Sequence, residues 1–584
     1  MRKAKGNEEQ CGDGIKFSMS LESIPVAGGD EEMMIRVLQR AWRYQNRWQI
    51  RRGVNLTCTA CLLLAFSLAT MLAMAQKETR FHRYMQKVKG SQGAWQIVRA
   101  TFWGGTSAEV FNDVAFLPDG RLVVAGNGWG PNLPSVTPTS VIGDDKWSEA
   151  PLYRDVKRKT LNDVHPSRAG FLLWLAPDAS RPLRLVRFGW GSAVISWLHV
   201  GADGALYVSG RCAPNFIQWL SANRVPIAQI PSPEDAPKTE PTGFLYLARF
   251  SQGGELDAVL VATEQASADE RRMGRESCLR CFSTAQKEAL LIAYRRLYRW
   301  QGDQVVEIGK VPGGVLLGLD VKRRLAFVGG DRNTHTGREP WRQPFLYAIN
   351  IDNGQVMWRL WGWDPKEVGS DRYRLVSDSS VRLLTVTPEG DLVIVGWSDG
   401  GNSVFTREPM DLDKPVKYGF IDSLWGARVG SFAWLIRLNG ETKQFRCGTI
   451  WCAFLISQDR PNSVGVDSLA LVEGQTAITG VSAFGLITTP DAWVKLDPAT
   501  DYIGGAYVAV FSPDFRDLLF CSPLPGVRGP IRCAAFHNRL AIVGHSFGED
   551  ARIPIKDALQ PSVGGEADGY LLLAEMRKAK GNEE

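Results

Sequence analysis

Two aspartates stand where paired carboxylates could do chemistry. Asp113 and Asp467 each fall early in a short apolar run, FNDVAF and VDSLALV, of a kind that recurs along the chain. Two carboxyl groups about 5–10 Å apart across a cleft are what glycoside hydrolysis needs, one to protonate the leaving oxygen and one to attack or to activate water. The competing use of such residues is to accept hydrogen bonds from loop amides. The chain has 20 tryptophans, and Trp129 and Trp397 follow similar β-branched runs, where an exposed indole would suit stacking on a sugar. Among the six histidines, His545 follows Gly544 directly and is placed for ligand binding or proton transfer. Cys278-Leu-Arg-Cys281 has metal-like spacing, but no second pair or nearby histidine completes four ligands, so a local disulfide is expected and no metal. No HExxH, GxSxG, phosphate-binding loop or dinucleotide fingerprint is present. A fragment, YAINIDNGQVMWRLWG at 347–362, is similar to a quinoprotein repeat, but no other segment shares its form, and no cofactor is expected.

These residues sit on a degenerate repeat. FNDVAFLPDGRLVVAG, ending at Gly126, aligns without a gap to five other segments, ending at Gly210, Gly329, Gly396, Gly480 and Gly544. Each is an apolar run, a short turn and a β-branched run, the pattern of a tight hairpin. Asp119-Gly120, Asp203-Gly204 and Glu389-Gly390 offer the turn a residue free to take positive φ. A second hairpin follows each first, led by GFLLWL from Gly170, GFLYLARF from Gly243, PFLYAINI from Pro344, SFAWLIRL from Ser431, AYVAVF from Ala506 and GYLLLAEM from Gly569. Four antiparallel strands per unit and six units predict an all-β, six-bladed β-propeller over 94–576. The last unit lacks its fourth strand, and AWQIVRATFWGG at 94–105 supplies an orphan one, so the N-terminal strand is expected to complete the last blade.

The repeat cores, with TTPDAWVKLDPATDYIGGAYVAVF at 488–511 and DALQPSVGGEADGYLLLAEM at 557–576, resemble the SBBP-type bacterial β-propeller repeat family. The third and fourth units depart from its form, the third having Arg323 where the glycine belongs. The resemblance implies the propeller fold and an exported or surface-associated protein, and brings no catalytic residues with it.

The remainder of the chain bears on address. Residues 54–75 form 22 uncharged positions, preceded by Arg36, Arg40, Arg43, Arg47, Arg51 and Arg52 and ending in Ala73-Met74-Ala75. That is a basic region, an apolar core and an A-x-A site, read as a signal peptide or signal anchor. Residues 1–53 are then an N-terminal extension, 76–93 a linker and 577–584 a tail. MRKAKGNEE opens the chain and recurs at 576–584, so the physiological start could be Met33 or Met34. The net charge of +6 over 584 residues carries no basic block beyond the N-terminal region, which argues against nucleic acid. Membrane association is expected only through 54–75.

Strand parity places the long links 127–169, 211–242, 331–343, 397–430, 481–504 and 545–567 on one face, together with an insertion at 264–305. In that insertion, residues 288–300 read as a short helix over the channel rim. The expectation is an exported propeller that binds a polysaccharide or protein partner through its long-loop face. A carbohydrate-active hydrolase or lyase using Asp113 and Asp467 is the alternative.

Overall fold

In the computed structural model the described residues are 79–90, 94–145, 165, 167–234, 243–269, 278–285, 287–334, 341–424, 428–497 and 504–577. The signal segment at 54–75 lies outside them. No helix among the described residues is long and apolar enough to cross a membrane.

The strands form seven antiparallel blades, one more than the six expected, plus two small two-stranded sheets. The first strands of blades 1 to 7 are Ala108–Phe116, Ala193–Val200, Cys281–Ala285, Val315–Asp320, Ser379–Val386, Ser468–Val472 and Val527–Phe536. These strands line a central channel. In blades 1 and 2 the long link adds a fifth strand, Thr139–Ile142 or Ile227–Gln229, parallel to the fourth. Ring closure is as expected: Trp95–Trp103 pairs antiparallel with Asp568–Met576, from Trp95 opposite Met576 to Trp103 opposite Gly569. The segment read as a linker also contains a helix, α1 (Arg80–Lys87), seated by buried Phe81 and Tyr84 against Phe454.

The extra blade comes from the supposed insertion. Cys281–Ala285, Glu288–Ala293, Arg296–Gln301 and Gln304–Lys310 make up blade 3. The stretch expected to be helical is a hairpin turning at Tyr294 and Arg295, with φ of 50° and 57°. Two features hid it. Ala289, Leu290, Leu291 and Ala293 are all fully buried, so their run shows no period-two alternation. Its turn also uses neither glycine nor asparagine, although both central residues adopt left-handed φ. Cys281 is an unbridged thiol in the first strand, so the disulfide expected with Cys278 does not form.

The glycine that recurs in the repeats has a steric cause. A Cβ on Gly210 would stand 2.0 Å from the Val194 carbonyl oxygen, and one on Gly480 2.1 Å from that of Gly465. Here the second strand crosses the first too closely for any side chain. Blade 3's second strand has no glycine, which is why the repeat pattern passes over it. Gly120, Gly204 and Gly390 do take positive φ; in blades 4 and 7 Arg324 and His537 take it instead.

The central cavity as candidate site

The channel holds a cavity of about 390 Å³ lined by residues of all seven blades. That volume lies within the range of small-molecule sites. In blades 1, 2, 5 and 7 the lining residues are Asp113–Phe116, Trp197–Val200, Arg382–Thr385 and Arg532–Ala535, mostly the later halves of the first strands. Those strands end in tight turns, so the cavity extends toward the tight-turn face. The long-loop face was the one expected to bind.

Asp113 and Asp467 both line the cavity, but not at the same strand position. Asp113 lies opposite Ala125, just past a bulge, whereas in blade 6 the residue opposite the equivalent Thr479 is Ser468. Asp467 is therefore one residue out of step. Each carboxylate is held by backbone. Asp113 accepts from the Val114 amide and, across the blade boundary, from the Leu198 amide, both at 3.0 Å. Asp467 accepts from the Ile531 amide at 3.1 Å. Burial pushes the Asp113 carboxyl above its usual range, against the pull of Arg532, the Leu198 and Val114 amides and Arg280.

Arg280, Arg382 and Arg532 also line the cavity, and none of them was singled out from sequence. Arg532 donates to the Asp467 carbonyl and acts electrostatically on Asp113. Arg382 extends over the Trp397 ring, 5.8 Å from its centroid, and interacts with Asp331. The part of the wall formed by blades 2 and 3 is aromatic. Trp197 stacks on His199 with centroids 5.7 Å apart, and Phe282 meets both edge-on. His199 accepts from the Ser283 amide at 3.2 Å through Nε2, and burial lowers its pKa to about 4, so the ring is neutral at pH 7.

The other candidates lie elsewhere. Trp129, at the long-loop end of Leu122–Trp129, is 3% exposed, with the Arg168 guanidinium 4.3 Å from its ring centroid. It offers no open face for stacking. Trp397 is half-buried beneath Arg342, 4.9 Å from its ring, and its Nε1 donates to Ser431. His545 is 6% exposed on the second strand of blade 7, edge-on to Phe547, and does not line the cavity. No group of three or more potential metal ligands occurs among the described residues. The one sequence signal for the arginines was position: Arg382 and Arg532 fall inside first strands, as Asp113 does, and Arg280 stands directly before one, as Asp467 does.

Fold and cavity define a seven-bladed β-propeller with a mixed charged and aromatic central site. No protein-family model matches the chain, and no curated protein matches it. Among solved structures it is similar to a protein of unknown function from Dyadobacter fermentans, at 10% identity and TM-score 0.38, over 83% of this chain and 100% of the other. It is also similar to BamB from Moraxella catarrhalis, at 9% identity and TM-score 0.28, over 67% and 87% of the two chains. The blade count and the site rest on strand pairing and on the residues of this chain.

Proposed function

We propose that this chain is an exported, non-catalytic binding propeller that holds a polysaccharide or protein partner, with the recognised group seated in the central cavity. The observation that carries the reading is the state of the two carboxylates. A general acid must be free to give its proton to the leaving oxygen, and a nucleophile must have an oxygen free to attack. Here both oxygens of Asp113 and one of Asp467 are already engaged by backbone amides, and Arg532 sits against both residues. Such groups hold blades in register. The Trp197, His199 and Phe282 cluster and the arginines give the cavity an apolar wall and hydrogen-bond donors for a ligand. Export is supported by the basic and apolar pattern of 36–75. The SBBP-type resemblance points the same way.

The test passes the purified full chain over immobilised plant, microbial and host polysaccharides while following new reducing ends and unsaturated products. Retention on one polymer, without product and reduced in Trp197→Ala, supports binding. Product release that disappears in Asp113→Asn and Asp467→Asn would replace this reading with the hydrolase or lyase.

A further inference from the structure

Where the N-terminal strand completes blade 7, two carboxylates are buried without a counter-charge. Glu109, on the first strand of blade 1, and Asp568, opening the third strand of blade 7, are both 0% exposed. A Cβ on Gly104 would stand 2.3 Å from Asp568 Oδ1 and 2.6 Å from Glu109 Oε2, so both carboxylates flank the same point of the closing strand's exit. One oxygen of each is satisfied. Glu109 Oε2 accepts from the Gly105 amide at 2.7 Å, and Asp568 Oδ2 accepts from the Gly564 amide at 2.8 Å and from the Gln560 side chain. The other oxygens, Glu109 Oε1 and Asp568 Oδ1, have no hydrogen-bond partner among the described residues.

The pair repels itself: Asp568 acts on Glu109 to disfavour its charge, and no cationic side chain is among the groups acting on either. Two buried carboxylates with orphaned oxygens need a proton or a cation between them. The oxygens at hand are those of the two carboxylates, the Gln560 side chain and the glycine-rich backbone at Gly104-Gly105 and Gly564-Gly565, with no sulfur or imidazole among the groups that contact the pair. That donor set suits a hard cation, and an irregular loop-built shell suits calcium better than octahedral magnesium.

We propose that Glu109 and Asp568 bind a calcium ion that ties together the two ends of the propeller ring. The ion joins the exit of the closing strand, the start of blade 1 and the third strand of blade 7, so its binding stabilises the closed ring. This does not depend on the ligand of the central cavity.

The full chain is stripped with EDTA and titrated with calcium while thermal unfolding is followed. Terbium is used as a luminescent substitute, because Trp103 lies next to Gly104 and can sensitise it. One ion per chain is expected, with a calcium-dependent rise in Tm. Glu109→Gln and Asp568→Asn, both isosteric, are each expected to weaken binding about tenfold or more. Both should remove the Tm rise while the far-UV spectrum stays that of the wild type. A wild-type Tm unmoved by millimolar calcium, with no sensitised terbium emission, overturns the proposal and leaves the pair sharing a proton. Binding that survives both substitutions overturns it equally.

Discussion

Ring closure makes a quantitative demand on two adjacent side chains of the N-terminal strand. Successive residues of a strand point to opposite faces, and here both faces are blade interfaces. Phe102, 2% exposed, lies 5.6 Å from the Tyr570 ring in the core that blade 7 shares with blade 6. Trp103, 5% exposed, lies 5.0 Å from Phe171 and 6.1 Å from Phe111 in the core shared with blade 1. Truncating a buried Phe or Trp to Ala costs about 3–5 kcal/mol, the transfer term plus the cavity left behind. The unit Thr79–Glu584 has about 500 residues, and at roughly 2.1 cal/mol/K per residue its unfolding entropy is about 1 kcal/mol/K. Phe102→Ala and Trp103→Ala should therefore each lower Tm by about 3–5 °C in scanning calorimetry of the full chain, within one cooperative transition. Tm values within about 1 °C of wild type for both variants would refute the argument. So would a separate low-temperature transition, since the strand would then melt without opening the ring.

Three further outcomes follow from the same structure. Gly480→Ala, whose Cβ would meet the Gly465 carbonyl at 2.1 Å, should destabilise by about 1–3 kcal/mol or more in denaturant titration, while Gly505→Ala, with nothing within 4 Å, should stay within about 0.5 kcal/mol. His199 has its pKa lowered to about 4 by burial, so the unfolded chain takes up its proton first. Stability should fall by at most about 3 kcal/mol as pH drops from about 6.5 to 4, and His199→Phe should flatten that part of the pH–stability curve. Glu109 is shifted the other way, to about 8, by burial and by Asp568. In EDTA its contribution should be full below about pH 4.5 and lost as pH rises through 8, a slope that Glu109→Gln should remove.

Much of the architecture was legible in the residues, and the exceptions are instructive. The hairpins announced themselves where crowded strand crossings admit only glycine, as at Gly210 and Gly480, and where a turn favours it, as at Gly120. The orphan strand at 94–105 was recognisable because an unpaired sheet edge in the last unit required it, and its pairing with Asp568–Met576 is what forms. Blade 3 was missed because burial on both faces erased the alternation of its second strand, and the turn that follows, at Tyr294 and Arg295, carries no glycine or asparagine.

Local sequence determined which segments are strands and where most hairpins turn, because those choices rest on steric rules between near neighbours, and the missing strand of the last unit pointed to the ring closure. Tertiary structure decided the rest. Only the seven-fold packing brings Arg280, Arg382 and Arg532 into one cavity with Asp113 and Asp467, and the longer turn between Phe116 and Leu122 than between Leu471 and Thr476 sets Asp467 one residue out of step with Asp113. The same packing buries Trp129 and His545. It also presses Glu109 against Asp568 from the far end of the chain. Spacing along the sequence carries no record of such meetings, because they depend on the number of blades and their register, and a single unrecognised blade alters both.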